Sequence, residues 1–142
     1  MAIWATPATT GSPYQRGLIR EFGGSAEITE VACPGLADAV ERADAADIAA
    51  AVADAASRTP AGTDVLVLGC THYELVVDQI RDAVDARGSR PVFHGSADAV
   101  AAQALRRIAD GTPEGSGTLT VLHTGRTAAL PAAALTYPEA GC

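Results

Sequence analysis

The sequence predicts an α/β fold, a parallel doubly wound sheet with helices on both faces, and three observations carry that expectation. Val65-Leu66-Val67-Leu68 is an unbroken aliphatic run, the pattern of a strand buried on both faces of a helix-covered parallel sheet. Gly69 ends the run, and Leu75, Val76, Gln79, Ile80, Ala83 and Val84 then recur at helical spacing. Strand and helix patterns alternate along the chain, which calls for right-handed crossovers between parallel strands.

Each element follows from local pattern. Met1-Ala2-Ile3-Trp4-Ala5 reads as a short strand, and the hydroxyl-rich loop Thr6-Pro7-Ala8-Thr9-Thr10-Gly11-Ser12 ends in N-cap candidates. A helix is expected over 13–22, with Pro13 at its start and Gly23-Gly24 as its stop. Residues 26–32 read as the next strand, broken by Cys33-Pro34-Gly35, and residues 36–41 as a helical turn. An alanine-rich helix follows over 44–57, with Ile48, Ala51, Val52 and Ala55 inward. After the turn Pro60-Ala61-Gly62-Thr63 come the strand at 64–68 and a helix over 73–86 stopped by Gly88. The remainder reads as a strand at 90–94, a helix over 96–110, a loop over 111–117 and a last strand at 118–122. A tail rich in Pro and Ala follows, with weak signals.

Composition narrows the function. The 142 residues suffice for one domain with a real core, and a chain 48% hydrophobic but 4% aromatic must build it from Ala, Val, Leu and Ile. A formal charge of −7 argues against nucleic-acid or anionic-membrane binding, so an anionic ligand has to be held by local donors. No apolar run approaches the roughly 20 residues of a membrane span, and no signal-peptide pattern opens the chain. Three cysteines (Cys33, Cys70, Cys142) form no C-x-x-C pair and suit a reduced cytoplasm. Three widely spaced histidines give no zinc pattern, so no metal is expected.

Chemistry concentrates after the central strand. Cys70 stands at its carboxyl end close to a helix start, where open α/β sheets place their ligands. Backbone N–H groups and the helix dipole there favour a substrate carboxylate and a thiolate. His72, two residues on, is placed to assist proton transfer at that sulfur. The alternative is a small apolar cysteine closing a strand, inert as buried cysteines commonly are.

The string Gly69-Cys70-Thr71-His72-Tyr73 resembles the second-cysteine motif of glutamate racemases, which continues Gly-Cys-Thr-His-Tyr-Pro; Glu74 stands in the proline position. Related aspartate racemases usually carry Glu where His72 stands, which favours the glutamate branch. Thr6 and Thr9, followed by Ser12 and Tyr14, fall on the two threonines three apart of the same family, with the Ser–Tyr spacing one residue short. Cys33-Pro34-Gly35-Leu36 leading to Val40-Glu41 is similar to its Cys-Pro-x-Phe/Leu segment. Asp-Ser-Gly is usual in the family where His94-Gly95-Ser96 stands.

The resemblance implies a flavodoxin-like racemase domain and a cofactor-independent interconversion of L- and D-glutamate for peptidoglycan supply, hence for the cell wall and cell shape, in the cytoplasm. It implies Cys70 as a proton-carrying thiol, with His72 and Glu41 supporting it. Thr71, Thr6 and Thr9 would then bind substrate. Cys33 matches neither catalytic cysteine and reads as a small strand-end residue; His94 and His123 read as surface or strand-end histidines. Only the C-terminal portion of the family is matched. Residues 1–89 would be its second α/β domain, and 90–142 a segment that returns to a first domain. That first domain's Asp-Ser-Gly and Cys-Asn-Thr strings do not occur here. The C-terminal segment is then expected either to re-pack on 1–89 or to leave an apolar face. The partners implied are glutamate and either a homodimer mate or a complementary N-terminal racemase half. Inversion needs acid–base groups on both faces of the α-carbon, and only Cys70 is evident. The competing expectations are a remnant binding a dicarboxylate or another protein, a single-cysteine proton-transfer enzyme of decarboxylase type, and a thiol-nucleophile hydrolase.

Overall fold

The computed structural model describes residues 1–108 and 118–141. Four strands form one parallel sheet: β1 (Ala2–Ala5), β2 (Thr29–Ala32), β3 (Val65–Leu68) and β4 (Val92–His94), in the order β2-β1-β3-β4. The α/β parallel fold read from the sequence is the fold observed. Between the strands run α1 (Pro13–Phe22), α2 (Leu36–Arg42), α3 (Ala45–Arg58), α4 (Thr71–Glu74) and α5 (Val77–Asp85), and α6 (Ala97–Ile108) follows β4. Local chemistry sets several of these ends. The Ser12 side chain accepts from Gln15 N at the start of α1, and the Asp44 carboxylate accepts from Ala46 N and Asp47 N at the start of α3.

Strand register decides which residues share a face. Ala2 pairs with Leu66, Trp4 with Leu68 and with Val31, and Leu66 with Phe93, so these side chains project to one side. There they meet Leu36, Val40, Ile48, Val52, Ile80 and Val84 of α2, α3 and α5 in a single buried core. Trp4 is fully buried, and its indole Nε1 donates to Thr59 Oγ1 at 2.8 Å, which in turn donates to Ala55 O. The other face carries Ile3, Glu30, Val65, Val67 and Val92. On that side α1 is tied down through Gln15 Nε2 and Gly11 N, both donating to the Glu30 carboxylate. Val65 and Val67 are only half-buried and Val92 is exposed, so the aliphatic run is not buried on both faces as expected. The reason is local. Gln15 is the one buried side chain of α1, and α6 buries none.

Two further elements depart from the sequence reading. The helix expected over 73–86 begins at Thr71 and is interrupted: α4 ends at Glu74, Val76 leaves helical dihedrals (φ −124°, ψ 24°), and α5 starts at Val77. Tyr73 and Val76 are both buried, and the break lets both reach the core. The strand expected at 118–122 does not join the sheet. Instead β5 (Leu122–His123) pairs antiparallel with β6 (Arg126–Thr127) around Thr124-Gly125, both with positive φ, the two-residue turn that suits a tight hairpin. The expected loop over 111–117, the last two residues of the expected helix 96–110 and Cys142 lie outside the described residues. Residues Ala132–Thr136 and Pro138–Gly141 form two 3₁₀ turns, and between them the Tyr137 hydroxyl donates to Val40 O on α2. The segment from 90 onward thus contributes β4 to the sheet and docks Tyr137 on α2, while α6 leaves Val100, Leu105 and Ile108 exposed.

Candidate active site

The carboxyl ends of β1 and β3 are drawn together at Gly69. Its N–H donates to Trp4 O at 2.7 Å, and a Cβ there would lie 2.9 Å from that carbonyl and 3.3 Å from the Ala5 Cβ. Only glycine permits that approach. It brings the loop after Ala5, with its threonines, beside the turn after Leu68, with its thiol. Thr6 Oγ1 and Thr9 Oγ1 lie 3.1 Å apart, and Thr10 Oγ1 donates to Thr6 O. The Glu30 carboxylate, by accepting from Gly11 N at 2.9 Å, holds the far end of that loop.

Cys70 immediately precedes α4 in extended conformation (φ −143°, ψ 132°), and its side chain makes no capping hydrogen bond, which leaves the sulfur free for other partners. It is partly buried. His72 Nδ1 lies 3.7 Å from Cys70 Sγ, within hydrogen-bonding range for sulfur. The ring's other nitrogen, Nε2, is left for a second partner. Sequence spacing thus delivers a thiol–imidazole contact. The long helix dipole invoked for this position is not present: α4 is a single turn, and one turn supplies little aligned backbone dipole.

Glu41, on the exposed side of α2, and His72 line one cavity of about 670 Å³. Among the described hydrogen bonds none joins the two. The rest of that wall is mostly apolar, with Val40, Leu75, Leu130 and Tyr137 prominent. Sequence reasoning missed this wall because Leu130 and Tyr137 are distant in sequence from the motif. No helix among the described residues is long and apolar enough to cross a membrane, and none of their side chains gather three or more His, Cys, Asp or Glu as a metal cluster.

Cys33, at the end of β2, is almost fully buried, as its strand-end reading implies. Burial pushes its thiol up to about 12, so it stays protonated through the physiological range. His94 closes β4 and His123 lies in β5, both exposed.

No protein-family model matches the chain. Several curated proteins named glutamate racemase do, and three of them illustrate the likeness. The chain is 36% identical to that of Roseiflexus over 86 residues, 57% of this chain and 31% of the relative. It is 34% identical to that of Herpetosiphon aurantiacus over 113 residues, 77% of this chain and 43% of the relative. The enzyme of Aliarcobacter butzleri is 31% identical over 132 residues, 88% of this chain and 49% of the relative. The chain therefore spans less than half the length of the curated relatives it matches. A parallel sheet, a Cys–Thr–His turn at its carboxyl edge and these matches together make this a partial glutamate racemase-like chain.

Proposed function

We propose that the chain carries one half-site of a cofactor-independent amino-acid racemase acting on glutamate. Cys70 would exchange the α-proton on one face of the substrate, with the imidazole of His72 relaying the sulfur's proton. Glu41, across the same cavity, would orient that imidazole. Thr6, Thr9 and Thr71 would hold the α-carboxylate. The observation that supports this reading is the 3.7 Å Sγ–Nδ1 contact at the carboxyl edge of the sheet, with the Thr6–Thr9 hydroxyl pair on the neighbouring strand's loop.

Inversion requires a proton donor on the opposite face. Cys33 is unsuited to that role, being buried and held as a thiol. The second group would then come from a complementary N-terminal racemase half or from a second copy of the chain. Residues 1–89 would act as the second domain of such an enzyme and 90–142 as the segment returning toward the first. The D-glutamate formed would serve peptidoglycan precursors in the cytoplasm.

The test is α-deuterium incorporation into L- and D-glutamate in heavy water, read by mass spectrometry beside a chiral assay. Exchange with retention is expected, falling at least about 100-fold in Cys70→Ala. Equal exchange in the variant sinks the role of the thiol. Inversion by the isolated chain would reveal a second acid–base group. Absent exchange with intact dicarboxylate binding would favour a binding module.

A second reading draws on the apolar wall beside His72. A single thiol could protonate the enediolate left when a substituted malonate loses carbon dioxide: the C–C bond breaks, its electrons remain on the α-carbon, and Cys70 supplies the proton. Release of carbon dioxide from an aryl-substituted malonate, lost in Cys70→Ala, would favour this over glutamate chemistry.

A further inference from the structure

Glu74 ends α4, the single turn that carries Thr71 and His72. Its Oε1 accepts from Ser96 N at 2.7 Å and from Ser96 Oγ at 3.1 Å, and Ala97 N reaches both carboxylate oxygens at 3.1–3.2 Å. Ser96 immediately precedes α6 and Ala97 begins it, just beyond β4, and β4 is the sheet neighbour of β3. The carboxylate therefore bridges the turns leaving two adjacent strands. Room for it is made by Gly95, where a Cβ would come within 2.4 Å of the Glu74 carboxyl carbon.

An isolated helical turn does not hold itself, since nucleation costs more than one turn's hydrogen bonds return. Two anchors follow His72 on α4. Tyr73 is buried, with its hydroxyl donating to Cys33 O at 3.4 Å, and Glu74 is fixed by charge-assisted bonds to the start of a twelve-residue helix. A proline, which the similar motif carries at this position, has no carboxylate and cannot make the second anchor.

We infer that Glu74 is a positioning residue, a clamp between α4 and the start of α6 that keeps His72 Nδ1 against Cys70 Sγ. The inference rests on the reading of Cys70 and His72 as an acid–base pair, but its test needs no substrate. In the full-length chain with Cys142→Ser, iodoacetamide alkylation of Cys70 is followed at fixed pH by mass spectrometry. Cys33, buried and protonated, stays silent. His72→Asn slows alkylation by removing the imidazole placed to take the sulfur's proton as it attacks. Glu74→Ala slows it in the same direction, by at least about threefold. Glu74→Gln, which keeps an acceptor for Ser96, recovers most of the rate.

A merely structural role predicts the opposite sign, because a loosened turn exposes the sulfur and speeds alkylation. An unchanged or faster rate in folded Glu74→Ala overturns the clamp. Should that variant fail to fold, Ser96→Ala removes one contact from an exposed position, and a smaller slowing there supports the clamp while none overturns it. Loss of isotope exchange in Cys70→Ala beside normal alkylation in Glu74→Ala would remove the clamp and leave the proposed chemistry standing. Slowed alkylation with no exchange in the unmodified chain would do the reverse.

Discussion

The two faces of the sheet are built to different standards. On one, Trp4, Val31, Leu66 and Leu68 vanish beneath α2, α3 and α5. On the other, Ile3, Val65 and Val67 are half-covered and Val92 is 59% exposed, with α1 attached chiefly through the Gln15–Glu30 contact. Alternate residues of one strand thus live in different environments although all are aliphatic. Hydrophobic stabilisation scales with the apolar area removed from water, so the folding energy is concentrated on the first face. The candidate site escapes this asymmetry by sitting at the carboxyl edge, where Gly69 joins the β1 and β3 ends.

The sharpest way to break this comparison is a pair of neighbours on β3. Leu66→Ala should cost roughly 2–5 kcal/mol in denaturant unfolding, since a fully buried side chain leaves a cavity. Val67→Ala, one position along, should cost about 1 kcal/mol or less, being half-covered. Equal losses would show the two faces to be equivalent. Next comes the polar link inside the covered face. Thr59→Val leaves the Trp4 indole N–H buried without its acceptor and should cost about 1–3 kcal/mol by the same measurement.

A smaller effect is sensitive to pH. The folded chain holds the Cys33 proton more tightly than the unfolded chain, from a thiol value of 9.0 raised to about 12 by burial. Its contribution is fully present below pH 9 and drains as pH rises toward 12, by on the order of 1 kcal/mol at pH 10. Tyr73, also raised by burial, adds to the decline above pH 10. Cys33→Ala should flatten the part between pH 9 and 10 in pH-resolved denaturation; an unchanged slope would refute the assignment. Least of all, Phe22→Ser on the exposed side of α1 should alter stability by within about 0.5 kcal/mol. A large loss would mean that the thinner face carries more than its burial indicates.

Much of this was legible because it is local. Aliphatic runs, the Ser12 cap and the glycine stops specify strands and helix ends within a few residues. The two-residue spacing of Cys70 and His72 likewise put thiol and imidazole within reach of each other on one turn. The break at Val76 was not legible: Leu75, Val76, Ile80 and Ala83 fit one continuous helix until burial of Tyr73 and Val76 is imposed. Nor was the fate of residues 118–122, where the Thr124-Gly125 turn favours a hairpin over a sheet partner. Glu74 was visible as a departure at the motif's edge, but its partners Ser96 and Ala97 lie over twenty residues away.

The sequence alone determined the order of the four sheet strands along the chain, the alternation that makes the sheet parallel, and the presence of a thiol, an imidazole and hydroxyls at strand ends. Those depend on neighbours along the chain, whose geometry the backbone restricts to a few states. Tertiary structure decided which aliphatic residues are covered, that Tyr137 and Leu130 wall the cavity holding Glu41 and His72, and that Glu74 bridges to α6. These depend on which distant segments meet, and that follows from the packing of the whole chain rather than from any one stretch of it.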